Sequence, residues 1–324
     1  MIRAGRMDRL VRLTVSLAAT AALLATPALA QRGGGAGPAA PLPSIAEKTA
    51  GMDRMDGFLP LYWDADLGQL WMEIPRLDEE MIHYVGYGAG LGSNDLGLDR
   101  GALRGSRIVE FERVGRKVLM VQPNYRFRAN SDNPDEVRAV RDAFARSVLW
   151  GFTAEAETDG RVLVDMSDFL LRDPINAAGS MQPGTYRLDT SRSTIYTEFT
   201  DAFPTNSEME VELTFVNQAG GGRGGRGGGG MQGVGQVAAT GEAATIRMHH
   251  SFVELPDDDY EPRAYDSRAG YGANSYQDYA APLGQDMTQR MIRRHRLVKR
   301  NPNAARSEPV EPIVYYLDPG APEP

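Results

Sequence analysis

Residues 57–75 read G-F-L-P-L-Y-W-D-A-D-L-G-Q-L-W-M-E-I-P, and no other stretch limits the fold so sharply. Two apolar runs, 58–63 and 69–74, flank Asp64-Ala65-Asp66-Leu67-Gly68. That segment is turn chemistry, with Gly68 supplying a position of positive φ. Pro75 closes the second run, so the pattern is a β-hairpin, and it holds two of the three tryptophans. A lone hairpin is marginal in water, so further strands or a helix must cover its apolar face.

The rest of the chain offers such strands. Residues 81–87 read as one, and 107–114 with 117–122 form a hairpin around Gly115-Arg116, Val109 and Phe111 alternating with Glu110 and Glu112. Residues 152–157 and 161–166 bracket Thr158-Asp159-Gly160, another tight turn. Residues 192–200 and 208–217 alternate strongly, and in the second Met209, Val211, Leu213 and Phe215 share one face. Residues 243–255 alternate again, 287–300 lean to strand, and 313–317 read as a final strand. One helix is predicted over 134–149. Asn133 caps it, Pro134 takes the first position, and Asp135 and Glu136 fill the first turn. Val137, Val140, Phe144 and Val148 then follow at helical spacing, as for a helix covering a sheet. A short helix within 44–55 and a helical turn at 167–171 are also read, and 257–282 reads as irregular and rich in Tyr and Asp. The fold class is mainly β: antiparallel sheets built from hairpins, sandwich-like or strongly bent, with one amphipathic helix at about 134–149.

The flanks have a different character. Arg3, Arg6, Arg9 and Arg12 precede an apolar run at 13–24, and Ala28-Leu29-Ala30 makes an A-x-A site, so 1–30 reads as a secretory signal peptide. The run is shorter than the ~20 residues of a membrane span, so the expectation is an exported protein, periplasmic or extracellular, with no membrane association after cleavage. Residues 31–43 are a flexible linker of Gly, Ala and Pro. A β-rich region of 44–302 follows, interrupted by a Gly/Arg insertion at 220–235, and 303–324 form a connector and the truncated start of a further domain.

Charge and composition narrow the chemistry. The net charge is −8, and removing 1–30 takes away four Arg and one Asp, leaving a still more acidic chain. Nucleic acid is therefore not expected as a partner. There is no Cys, which excludes disulfides, thiolate nucleophiles and Cys-ligated zinc. Of the four His, none begins an H-E-x-x-H, and the adjacent His249 and His250 point to opposite faces of a strand. His83 and His295 read as structural. Asp64 to Gly68 and Asp257 to Asp259 lack the ligand spacing of a calcium loop. The cluster from Arg290 to Arg300 is expected to pair with neighbouring acids, Asp257 to Asp259 among them. The run G-G-G-R-G-G-R-G-G-G-G at 220–230 looks like an RNA-binding segment, but it carries only two Arg and no aromatic, and a linker insertion is the simpler reading.

Several landmarks occur in a recognisable order: G-F-L-P-L-Y-W at 57–63, L-W-M-E-I-P at 70–75, R-I-V-E-F-E-R-V-G-R-K-V-L-M-V at 107–121 and V-D-M-S-D-F-L at 164–170. D-S-R-A-G-Y at 266–271, S-Y-Q-D-Y at 275–279, R-H-R-L-V-K-R-N-P at 294–302 and P-I-V-Y-Y-L-D-P at 312–319 complete the series. From about residue 44 onward, the glycine tract excepted, the chain resembles the non-catalytic N-terminal region of exported bacterial zinc-dependent metalloproteases of the zincin type. In that family, domains of unknown function precede the catalytic domain. The resemblance implies an accessory region, inactive alone, that packs against a zincin catalytic domain encoded separately. The zinc ligands and general base have no matching positions here, so no cofactor is expected in this chain and zinc only in full-length relatives. Tyr and Arg favour interfaces, which makes Arg268, Tyr271, Tyr276 and Tyr279 the expected docking residues. A rival reading is a free-standing periplasmic β module that binds peptide or glycan; a third is RNA binding through the Arg-Gly tract.

Overall fold

The structure, a computed structural model, describes residues 40–92, 96–218 and 233–317. The expected signal peptide, most of the linker and nearly all of the glycine tract lie outside the described residues. Among those described, no helix is long and apolar enough to cross a membrane.

After α1 (Ile45–Lys48) come β1 (Asp53–Met55), β2 (Leu61–Asp64) and β3 (Gln69–Ile74). Then follow β4 (Met81–Ala89), β5 (Leu103–Val114), β6 (Lys117–Gln122), β7 (Phe127–Arg128) and α2 (Pro134–Ala143). The middle of the chain supplies β8 (Ser147–Thr153), β9 (Ala156–Thr158), β10 (Arg161–Asp165) and α3 (Ser167–Leu170). The remaining strands are β11 (Tyr186–Leu188), β12 (Thr194–Phe203), β13 (Asn206–Asn217), β14 (Ala243–Glu254), β15 (Ala273–Asp278) and β16 (Thr288–Ile292).

They form three sheets. The first runs β1-β2-β3-β10-β9, and the third is the small β16-β15-β7. The second, largest sheet runs β11-β13-β14-β4-β5-β6-β8 with β12 also on β13, and it curls into a half-barrel. Register shifts interrupt the pairing at Val85/Gly86, Arg247/Met248, Met120/Val121 and Tyr196/Asp201. Such bulges sharpen local twist, and a long sheet that twists at several points rolls up on its apolar face.

The hairpin at 57–75 forms as the turn chemistry dictates. The Asp64 carboxylate accepts from the Asp66 and Leu67 amides, and Gly68 sits at φ 66°. Leu61, Leu70, Met72 and Ile74 join the core shared with the half-barrel, while Tyr62 and Trp71 face the other way, beneath Ile45 of α1. Glu73 lies on that second face, buried, and accepts from Tyr62 Oη at 2.6 Å and Arg161 Nη1 at 2.7 Å. The first sheet is joined to the half-barrel by backbone contact. Phe58 N donates to Phe203 O at 2.7 Å, and Ser207 Oγ both accepts from Leu59 N and donates to Leu59 O. A Cβ on Gly57 would stand 2.5 Å from the backbone at Ala202 and Phe203, so only glycine permits this approach.

Helix α3 plugs the half-barrel. Met166 N donates to Leu70 O, and Ser167 Oγ accepts from Leu70 N, which carries Phe169 inward. Its ring meets His83, Trp150, Phe152 and His250 at centroid distances of 5.6–5.9 Å, and Phe252 at 6.5 Å.

Several local expectations change. The predicted helix over 134–149 stops at Ala143, because Phe144 leaves it to stack on Phe127 at 3.9 Å, and 147–153 pair with β6 instead. Ladder hydrogen bonds outweigh the helical spacing of Val148, which is exposed. The short helix within 44–55 is one turn followed by β1, and the irregular 257–282 contains β15. Only 288–292 of 287–300 is strand, and 313–317 is irregular and pairs with no strand among the described residues.

Truncating the plug tests this arrangement. Phe169→Ala should cost about 3–5 kcal/mol of unfolding free energy in urea melts. A loss under ~1 kcal/mol would mean that the half-barrel is filled by other groups.

Candidate functional site

A cleft lies where the third sheet and α2 meet the outer side of β5, β6 and β8. The loop 123–130 divides it. Arg126, Arg128 and Arg293 line one arm, of about 630 Å³, together with Gln122, Asn124 and Asn274 and without a carboxylate. The other arm, about 470 Å³, carries mixed charge: Glu80, Glu110 and Glu112 line it with Arg128, Arg141 and Arg146, beside Phe127 and Phe144. Tyr125 and Arg128 border both.

Each wall has a local cause. The Arg128 guanidinium lies 5.0 Å from the Tyr125 ring and 4.5 Å from the Tyr276 ring, and its Nε donates to Tyr125 O. Asn130 Nδ2 donates to Tyr276 Oη and to Asp278, both at 2.9 Å, tying the loop to β15. Tyr125 Oη donates to Glu80, and Arg146 pairs with Glu112. Burial pushes the Glu80 carboxyl up, against the opposing pull of Arg128. Burial also raises Glu110, reinforced by the charges of Glu112, Glu80 and Asp78. A cationic arm and an arm of mixed charge meeting at Tyr125 and Arg128 suit an extended polar chain more than a compact apolar ligand.

Of the four expected docking residues, two come to this cleft. Tyr276 is held by Asn130 and Arg128, and Tyr279 packs its ring 5.0 Å from Phe144. Arg268 stands away in a turn, paired with Asp266, and Tyr271 is exposed beyond it. A second surface is apolar. Leu297, Val298, Val310, Ile313 and Val314 are exposed, and Tyr315, Tyr316 and Leu317 retain 83%, 92% and 86% of their accessible surface. Arg296 pairs with Asp257 at 2.5 Å and approaches Asp259 at 3.8 Å, the acids expected to answer the Arg290 to Arg300 cluster.

The histidines separate by face. His249, on the outer side of β14, places Nε2 2.6 Å from Glu208 and Nδ1 3.1 Å from Glu210. Burial depresses its pKa, but hydrogen bonds to the two carboxylates outweigh burial and lift it to about 9. Glu208, which burial raises, is held below its ordinary value by His249, Ser251 and Asn206. Arg247 Nε lies 3.2 Å from Glu210 Oε1 at an angle unfit for a hydrogen bond, so that pairing is coulombic. A Cβ on Gly88 would stand 2.4 Å from the Glu210 carboxylate. The Gly86, Gly88 alternation in β4 was the sequence signal for this buried acid, since glycine within a strand marks close approach. His250 is buried on the inner side with His83, and His295 is exposed in an irregular segment. Among the described residues no group of three or more His, Asp or Glu is disposed to hold a metal ion.

Fold and surfaces define a class, a mainly antiparallel β module with a polar cleft and an exposed apolar run. Within that class the chain belongs to the DUF5117 family, a domain of unknown function whose family model matches residues 101–300. No curated protein and no solved structure matches the chain.

The His249 bridge is testable by pH. Its folded pKa of about 9 lies above the ordinary 6.5, so the stabilisation is complete below about pH 6.5 and fades as pH rises through 9. His249→Gln should lose on the order of 1–2 kcal/mol near neutral pH, with the gap closing by about pH 10. A gap that does not change with pH would mean that the bridge is not ionic.

Proposed function

We propose that these residues form a non-catalytic accessory module of an exported zinc-metalloprotease system, docking on a catalytic domain of the zincin type. The observation that carries this reading is the apolar run at 297–317. Eight large apolar side chains stand exposed there, and an exposed apolar patch of this kind marks a contact with another protein. The ordered landmarks from residue 57 to residue 319 and the signal-peptide pattern at 1–30 support it. The sequence carries no H-E-x-x-H, so the role is structural or positioning rather than hydrolytic. Arg268, Tyr271, Tyr276 and Tyr279 are proposed as further docking residues beside this run.

A second reading has its own observation. The cleft split by Tyr125 and Arg128 joins a cationic arm to one of mixed charge, a polar channel that an extended peptide would fit.

The test mixes the full chain with a zincin catalytic domain from a chain that carries H-E-x-x-H, followed by calorimetry and hydrogen exchange. Saturable binding is expected, with protection at 297–317 and a loss of roughly tenfold or more in affinity for Tyr315→Ser with Tyr316→Ser. No binding heat and no protection would remove the docking role. Protection at 123–130 by an extended peptide alone would favour the second reading.

A further inference from the structure

Two guanidiniums near His83 have no carboxylate within ion-pair distance among the described residues. Arg107 on β5 is directly opposite His83 on β4, and it shares parity with the buried Val109 and Phe111, which turns it to the inner face. Arg172 follows α3. Its Nε donates to Phe169 O at 2.9 Å, and its guanidinium lies 4.4 Å from the Phe169 ring and 4.9 Å from that of Trp150. Both arginines are half-buried. Arg113, Arg146, Arg161, Arg247 and Arg296 each have a carboxylate within ion-pair distance. Among the described residues, Arg107 and Arg172 have none. Burial, then the charge of Arg107, holds the Arg172 guanidinium below its ordinary pKa.

The imidazoles beside them carry a second deficit. His83 Nε2 lies 3.2 Å from His250 Nδ1, and the other two nitrogens, His83 Nδ1 and His250 Nε2, are buried without partners. Burial, aided by the two arginines, pulls His83 down to about 3 and His250 well below its ordinary value, so both rings are neutral. A neutral pair sharing one hydrogen bond can be arranged in two ways. In either, one of the unpartnered nitrogens carries an N–H with nothing to accept it. The cluster thus holds two cations and a buried neutral N–H, with no carboxylate to answer them among the described residues.

We propose that Arg107 and Arg172 form an oxyanion site, with Trp150 and Phe169 as its apolar wall and the His83–His250 pair as its neutral donor. A carboxylate or a phosphate group has the required chemistry, since either accepts from two guanidiniums and from an N–H. Binding would neutralise like charges that repel, which gives the anion differential affinity for the folded state. The site is independent of docking through 297–317.

The experiment titrates the full chain with inorganic phosphate, sulfate or acetate at constant ionic strength balanced by chloride, reading Tm and calorimetric heat. A saturable rise in Tm is expected, with affinity roughly tenfold or more weaker in Arg107→Gln and in Arg172→Gln. A stronger response to phosphate than to acetate assigns a phosphate ligand, and the reverse assigns a carboxylate. In chloride alone, Arg107→Gln should melt at or above the unsubstituted protein, because it removes repulsion. The proposal fails if none of the three anions gives a saturable response, if the folded variants respond unchanged, or if Arg107→Gln melts well below the unsubstituted protein in chloride.

Discussion

Everything in the half-barrel depends on Phe169. A sheet that curls through four register shifts leaves a concave apolar face too wide for its own side chains to fill, and the ring on α3 fills it. The plug is positioned by the first sheet, through the hydrogen bonds of Leu70 with Met166 and Ser167. The hairpin at 57–75 is therefore more than a cover. It closes the core at Gly57 and Ser207 and places the element that completes the opposite wall. Interiors are packed to crystal-like density, so the two sheets and the plug behave as one mechanical unit.

Two adjacent histidines show how sharply the sheet divides its environments. His250 turns inward, where burial keeps it neutral against His83, and His249 turns outward, where two carboxylates keep it charged. Period-two geometry alone separates them. The same division sorts the arginines. Arg247, on the outer face of β14, meets Glu210, whereas Arg172 lies against the Phe169 and Trp150 rings and Arg107 stands opposite His83. Inner-face cations are uncommon because desolvation is costly, which is why their presence bears on ligand chemistry.

The cleft beside the third sheet arises from elements that local pattern reads poorly. Phe144 belongs by spacing to the helix face, yet it leaves the helix for Phe127 and Tyr279. β15 sits in a segment whose Tyr and Asp content reads as loop, and it pairs in parallel with β7, more than 140 residues away. Stacking and long-range ladder bonds decided both, and neither has a local signature.

From the sequence alone came the antiparallel β character, the hairpins at 57–75, 107–122 and 158–161, the buried face of 209–215 and the opposed faces of His249 and His250. These rest on period-two alternation and on turn residues that demand positive φ, both of which act over a few neighbouring residues. The curl of the large sheet, the plug, the burial of Glu210 against Gly88 and the meeting of Arg107, Arg172 and the histidine pair were settled only by tertiary structure. Each joins residues from distant strands, and the free energy of those contacts comes from packing and charge that no short window of sequence contains.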